Sequence, residues 1–189
     1  RTVYIYELGR RFAEFGSIEG GDGVVSFYQL DQDRALEAVI DDTSYVDWRH
    51  GFVNYVAPMV ILKFDPQRRR YGFATELMRQ PKPSEAYLAT LAREIRDDPE
   101  WRNMRVEDVD RRIPAALAQG MLDLIYAGHL ALARQLLEMA WNPVSKGRED
   151  YYVDLVECQL PYSEYWPAVA ALNNLPAYDI DDSSCPLRG

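Results

Sequence analysis

The sequence predicts a mainly α-helical fold, a compact bundle of about eight helices. Apolar side chains recur every three or four residues along most of the chain, and capping residues and prolines mark the ends of these stretches. The chain has 189 residues, of which 48% are hydrophobic and 27% charged, as is typical of one globular domain. We therefore expect a single helical domain over residues 1–176, followed by an acidic tail over residues 177–189.

The first element is predicted to be a helix that is already under way at the first residues. Its apolar face is formed by Tyr4, Leu8, Phe12 and Phe15, which recur at helical spacing. Four glycines between residues 16 and 23 then end the helix, because glycine favours turns over helices. These glycines also leave room for a short β-hairpin near residues 16–30.

Four more helical stretches are predicted before residue 100. The first two are indicated by Ala35, Leu36, Val39 and Ile40, and by Tyr45, Trp48, Phe52 and Tyr55. Residues 60–64 either finish the second of these helices or form a short strand, and residues 71–78 are interpreted as a short helix. Ser84 is a good N-cap residue, so a well-defined helix is expected over residues 85–96.

The clearest element is an αα-hairpin over residues 115–141. Two segments rich in alanine and leucine, 115–126 and 131–141, are separated by a three-residue turn that contains Gly128 and His129. We expect the His129 side chain to hydrogen-bond the carbonyl groups that end the first of these helices.

The C-terminal part contains two shorter predicted helices, over residues 151–160 and 165–172, and the two cysteines of the chain. Cys158 lies in the first of these helices and Cys185 lies in the acidic tail. A disulfide between them would tie down the tail. In a reducing compartment the same residues would be a buried small hydrophobe and an exposed thiol. The sequence leaves both states open.

Composition and the first residues indicate the source and location of the protein. The chain contains 18 arginines and three lysines, a bias typical of GC-rich bacterial genes. Arg1, Tyr4 and Tyr6 are residue types found where a helix leaves a lipid bilayer. We therefore expect a signal or membrane-anchor segment before Arg1, and a bacterial protein of the envelope or periplasm rather than the cytoplasm.

The net charge and the distribution of ligand residues argue against several functions. The net charge of −9 repels phosphate backbones, so nucleic-acid binding is not expected, and residues 68–70, all arginine, are interpreted as a solvated turn. The two histidines and two cysteines lack the spacing of a zinc site. Acidic residues near Glu19 and over residues 179–182 lack the ligand pattern of a calcium loop. We therefore predict no metal ion and no cofactor.

The leading functional prediction is a non-enzymatic module that binds another protein. The chain has 13 tyrosines and four tryptophans, residue types that are enriched at the centres of protein interfaces. Its acidic charge favours a basic partner. One form of such a module is an immunity or inhibitor protein that neutralises a basic toxin or effector. The predicted partner-binding residues are Tyr162, Glu164, Tyr165, Asp179, Asp181 and Asp182.

Two alternatives belong to other functional classes. An enzyme without a recognisable linear motif would use Asp47, Arg49 and His50, the densest local set of functional groups, together with distant side chains. A membrane-anchored assembly or scaffold protein would use the segment expected before Arg1. No catalytic residue is assigned, and the sequence favours a protein that is not an enzyme.

Overall fold

A computed structural model of the chain has an α+β fold, with two antiparallel sheets beside a group of helices. The structure describes residues 2–8, 12–19, 23–33, 35–46, 56–102, 113–143, 145–176 and 185. The prediction of a mainly helical bundle is wrong, because the regular structure of the chain up to residue 73 is mainly strand. The expectation that the domain over residues 1–176 is helical is wrong for the same reason.

The strands form two separate sheets. In the first sheet β1 (Thr2–Leu8) pairs with β2 (Phe12–Glu19). The second sheet has the order β3 (Ser26–Tyr28), β4 (Glu37–Asp41), β5 (Met59–Asp65) and β6 (Arg70–Phe73). All neighbouring strands are antiparallel. The four strands of the second sheet lie side by side in the same order as they occur in the sequence, so consecutive strands of this sheet pair with each other.

The predicted first helix is a β-hairpin instead. Thr2 lies opposite Glu19 and Leu8 lies opposite Phe12, with a bulge after Ile5. The spacing of four residues that indicated a helix also places residues on one face of a strand, since four is a multiple of the strand period of two. The β-branched and aromatic residues at the start of the chain favour the strand, and this preference decides the outcome.

Three other predictions for this half of the chain are corrected. The hairpin suggested near residues 16–30 is not formed, because β2 and β3 belong to different sheets. The helix predicted around residues 35–40 is largely strand β4, and the helix predicted over residues 71–78 is the end of β6 followed by one helical turn, α1 (Thr75–Met78). Residues 60–64 form a strand, which was one of the two options.

Most of the predicted helices in the second half of the chain are present. The structure has α2 (Glu85–Arg96), α3 (Pro99–Arg102), α4 (Ala115–Tyr126), α5 (Leu130–Ala140), α6 (Arg148–Val153) and α7 (Trp166–Leu172), with a π-helical segment over Asp154–Gln159. Of these, α3 was not predicted. The Ser84 hydroxyl caps α2 by accepting the backbone N–H of Tyr87 at 3.1 Å. Gly128 has a φ of 85°, which lets the αα-hairpin turn without strain. None of the helices described here is long and apolar enough to cross a lipid bilayer.

The hydrophobic core lies between the second sheet and the helices. Ala38 pairs with Leu62, and Ile40 pairs with Val60, so these four side chains share one face of the sheet. All four are buried and belong to one cluster with the apolar side chains of α4 and α5. The sheet therefore has a buried face that holds the αα-hairpin, and strand β5 contacts α4 directly.

A buried carboxylate joins the sheet to the helical half. Asp42 follows β4, and its Oδ2 accepts hydrogen bonds from the hydroxyl groups of Tyr126 and Ser163. Its Oδ1 accepts the backbone N–H of Ser44 at 3.0 Å. The Tyr45 hydroxyl lies 2.9 Å from that of Tyr126, and burial raises the pKa of both tyrosines. These three hydrogen bonds replace the hydration that the carboxylate loses on burial.

Cys158 and Cys185 form a disulfide, so the structure contains the first of the two states that the sequence left open. Cys158 is buried in the π-helical segment, and the two Cα atoms are 5.6 Å apart. The bond attaches the C-terminal tail to the helical half at residue 185. The other residues of the tail, 177–184 and 186–189, lie outside the described residues.

Replacing both cysteines with alanine is expected to lower the free energy of unfolding by about 2–4 kcal/mol. The bond spans 27 residues, and the reduced chain gains the conformational freedom of that segment when it unfolds. Urea unfolding of the wild type with and without a reducing agent measures the effect. The double variant is the control, since reductant should leave its unfolding curve unchanged. A wild-type curve that does not respond to reductant would contradict the prediction.

Candidate functional site

The loop between β3 and β4 is held in shape by its own side chains. The Gln29 amide donates hydrogen bonds to the carbonyl oxygens of Asp31 at 3.0 Å and Asp33 at 2.6 Å. The Asp31 carboxylate accepts the N–H of Asp33 at 2.9 Å, and the Asp33 carboxylate accepts the N–H of Ala35 at 2.8 Å. Aspartate favours such local turns, and here they fix the positions of both carboxylates.

Lys63 of β5 binds both of these carboxylates. Its ammonium group forms an ion pair with Asp31 and lies 2.7 Å from Oδ2 of Asp33. The hydrogen bond from Lys63 lowers the pKa of Asp31, and the bonds to the two aspartates raise the pKa of Lys63. All three side chains are partly exposed, so solvent screens the ion pairs and they add little to stability.

Glu37 of β4 lies beside these residues and is fully buried. Its Oε2 accepts the N–H of Leu30 at 2.7 Å, whereas its Oε1 has no hydrogen-bond partner within the part of the chain that the structure describes. One carboxylate oxygen from each of Asp31, Asp33 and Glu37 lies within 4.8 Å of the other two. We call these three residues the acidic cluster.

An open cavity of about 540 Å³ adjoins the acidic cluster. Gly72 of β6 lines the cavity, and a Cβ placed there would meet no atom within 4 Å. The charged residues that line the cavity are Asp31, Lys63, Asp65, Arg68 and Glu76. Arg68 also forms an ion pair with Asp65 across the β5–β6 turn at 3.3 Å. The segment that leads into β6 is an exposed turn, which confirms the interpretation of residues 68–70 as a solvated turn for this segment.

A second surface lies on the β1–β2 hairpin. Tyr4, Tyr6 and Phe12 are 57%, 44% and 71% exposed, and the rings of Tyr6 and Phe12 stack with centroids 4.8 Å apart. Glu14 lies opposite Tyr6, and Glu19 ends the same face of β2. On the other side of the hairpin Ile5 and Ile18 pack against the core. We call Tyr4, Tyr6, Phe12, Glu14 and Glu19 the aromatic face.

The structure places three of the six predicted partner-binding residues. Glu164 is exposed, Tyr162 is half-buried, and the half-buried ring of Tyr165 packs against Phe73 with centroids 6.3 Å apart. Burial raises the pKa of Tyr165, and the charges of Glu164 and Glu19 add to the effect. Glu19 of the aromatic face is thus among the charges that act on Tyr165. The predicted Asp179, Asp181 and Asp182 lie outside the described residues.

The residues of the alternative enzyme site, Asp47, Arg49 and His50, also lie outside the described residues, as does most of the apolar stripe predicted over residues 45–55. His129 is described, and its Nε2 lies 2.9 Å from the carbonyl oxygen of Gln80. The expectation that this side chain binds the end of α4 is wrong. The backbone N–H of His129 takes that role, by donating to Leu124 at 2.8 Å.

Sequence reasoning missed both the acidic cluster and the aromatic face. The signal for the cluster is three acidic residues at even spacing within seven residues, Asp31, Asp33 and Glu37. The signal for the aromatic face is the alternation of Tyr4 and Tyr6 with β-branched residues, a pattern typical of a half-buried strand.

Comparison with known proteins yields no relative. No protein-family model, curated protein or solved structure matches this chain at a significant level. The function must therefore be inferred from the residues of the chain itself.

Proposed function

We propose that this protein is a non-enzymatic module that binds a basic protein partner through the aromatic face. The observation that carries the proposal is the exposure of Tyr4, Tyr6 and Phe12 on one side of a hairpin whose other side is packed against the core. Soluble proteins expose few large contiguous apolar patches, and such patches mark sites of interaction.

The residue types suit an interface centre. Tyrosine and phenylalanine supply large contact areas with few rotatable bonds, so their ordering on binding costs little entropy. The stack of Tyr6 on Phe12 already fixes two of the rings relative to each other. A partner would therefore meet a surface that is largely formed before it binds.

The surrounding charge favours a basic partner. Glu14 and Glu19 lie on the aromatic face, and the exposed Glu164 adds a further negative charge in the turn that leads to α7. With the net charge of −9, these groups would speed the approach of a positively charged protein and hold its arginines at the rim. Tyr162 and Tyr165, with the tail residues Asp179, Asp181 and Asp182, remain predicted partner-binding residues.

The proposal includes the role of an immunity or inhibitor protein that neutralises a basic toxin or effector outside the cytoplasm. The Cys158–Cys185 disulfide supports this location, because such bonds persist in the bacterial periplasm and in secreted proteins. An inhibitor of this kind needs a stable scaffold and a surface complementary to its partner, and the buried core and the aromatic face would supply these two features.

The test compares three baits in a capture experiment from the source bacterium, read by mass spectrometry. We expect the wild type to retain one stoichiometric basic protein, and the Tyr6→Ser/Phe12→Ser variant to retain it at least about tenfold less, since two central aromatic contacts are lost. Tyr87→Ser is the matched control, because Tyr87 on α2 is as exposed as Tyr4 at 57% but lies outside the aromatic face. Equal capture by both variants, or a partner that is not basic, would overturn the proposal.

A further inference from the structure

We propose that the acidic cluster, Asp31, Asp33 and Glu37, is a calcium-binding site whose cation position is held by the ammonium group of Lys63 when no metal is bound. This site is separate from the aromatic face, and the proposal does not depend on the proposed function. It also departs from the expectation, drawn from sequence patterns, that the chain binds no metal.

The spacing of the carboxylates fits one calcium ion. Calcium binds oxygen ligands at about 2.3–2.6 Å, so two ligands on opposite sides of one ion are about 4.6–5.2 Å apart. The three carboxylate oxygens of the cluster lie within 4.8 Å of one another. A single ion can therefore contact all three side chains with only small adjustments of their rotamers.

Glu37 is an independent reason to expect a ligand. The side chain is fully buried, and among the described residues its Oε1 has no hydrogen-bond partner. Among the described residues, the Glu37 side chain accepts one hydrogen bond, from the backbone N–H of Leu30 to Oε2. A buried carboxylate oxygen without a donor is costly, because it has lost its hydration without replacement. A cation bound at the cluster would supply the missing contact.

The charge of the site also matches a divalent ion. Three carboxylates carry three negative charges, and Lys63, the cation that pairs with them in the described part of the chain, supplies one positive charge. The remaining charge of two is that of one calcium ion. Lys63 reaches Asp31 and Asp33 but forms no ion pair with Glu37, so one ammonium group does not satisfy all three acids.

The chemistry of the ligands favours a hard cation such as calcium over the softer zinc and copper ions. The cluster offers only carboxylate oxygens, which are hard ligands, and no histidine or cysteine. The Gln29 amide already binds the carbonyl oxygens of Asp31 and Asp33, which keeps the loop rigid. Asp31 and Asp33 are partly exposed, so water can complete the coordination, and calcium tolerates such irregular ligand sets better than magnesium does.

Calcium binding would displace Lys63 from the two aspartates. Because Lys63 also lines the adjoining cavity, the released ammonium group has solvent-accessible space to enter. The competition between the ammonium group and the ion lowers the affinity of the wild type. Extracellular calcium modules bind with dissociation constants of about 10⁻⁴–10⁻³ M, and we expect the wild type to lie in this range.

The test is a calorimetric titration of the full chain with calcium chloride alone. We expect one calcium ion per chain, and we expect Lys63→Met to bind it at least about tenfold more tightly because the competing charge is gone. Lys82→Met is the matched control, since it changes the net charge equally at a position outside the cluster and should leave the affinity unchanged.

A second pair of variants guards against misfolding. Asp33→Asn should abolish calcium binding, whereas Asp65→Asn, in the nearby β5–β6 turn, should retain it; circular dichroism confirms that each is folded. Absence of calcium binding in both the wild type and Lys63→Met would overturn the proposal. Equal affinities in Lys63→Met and Lys82→Met, or calcium binding retained by folded Asp33→Asn, would overturn it as well.

Discussion

Asp42→Ala is expected to lower the free energy of unfolding by about 3–5 kcal/mol. The carboxylate is 4% exposed and accepts hydrogen bonds from Tyr126, Ser163 and the backbone of Ser44. Its removal leaves these donors in a buried site, where each unsatisfied group costs about 1–3 kcal/mol. Tyr126 recovers part of this loss, because its hydroxyl also lies 3.2 Å from the Ser163 hydroxyl.

Chemical unfolding of two further variants separates the possible causes. Asp42→Asn keeps the shape and one acceptor oxygen, so we expect about half the loss of Asp42→Ala. Asp41→Asn is the control, since Asp41 is the adjacent residue of β4 and is only half-buried; its effect should stay within about 0.5 kcal/mol. If Asp42→Ala and Asp41→Asn are equally stable, the buried hydrogen bonds do not join the two halves as described.

Trp101→Ala is expected to cost about 3–5 kcal/mol of unfolding free energy. The Trp101 side chain in α3 is fully buried, and its ring meets that of Trp141 edge to face with centroids 5.2 Å apart. Its indole N–H donates to the carbonyl oxygen of Ala140, the last residue of α5, at 2.9 Å. Truncation leaves a cavity beside Trp141 and an unpaired carbonyl at the end of the αα-hairpin.

Trp101→Phe distinguishes packing from hydrogen bonding. The phenyl ring keeps most of the buried area but donates no hydrogen bond, so we expect a loss of about 1–2 kcal/mol. Tyr87→Ala serves as the control, since this aromatic side chain is 57% exposed and its removal should change stability by less than about 0.5 kcal/mol. Thermal and urea unfolding of the three variants measure the series. A near-neutral Trp101→Ala would contradict the placement of α3 against α5.

The helices could be predicted where two local signals coincide. The Ser84 cap and the helical spacing of the following apolar residues place α2 over Glu85–Arg96, where the structure has it. The same holds for α4, whose first residue follows Pro114. Both signals act within a few residues, so they do not depend on how distant parts of the chain meet.

The strands could not be predicted by the same reasoning. In β4, residues 38–41 alternate between buried and half-buried positions, but Glu37 is also fully buried and the run 38–40 is apolar throughout, so the residue types do not show the alternation by which a half-buried strand is recognised. The spacing of Val39 and Ile40 from apolar residues four positions earlier then resembled a helix. The strand conformation is decided by pairing with β5, which comes some twenty residues later in the chain.

The acidic cluster was hidden for a related reason. Glutamate in a sequence normally indicates a solvent-facing position, and the burial of Glu37 follows only from the pairing of β4 with its neighbours. The contact of Lys63 with Asp31 joins residues 32 positions apart and depends on the register between strands. Residue types and local spacing show that the acidic residues are present, but they do not show that these residues lie close together.

The hydrogen bonds of the buried Asp42 join residues that leave the ribosome at different times. Asp42 follows β4 of the second sheet, while the hydroxyl groups that bind it come 84 and 121 residues later, from Tyr126 and Ser163. Until those residues have left the ribosome, only water can solvate this carboxylate. The full set of hydrogen bonds that joins the second sheet to the helical half can therefore form only after synthesis has passed residue 163.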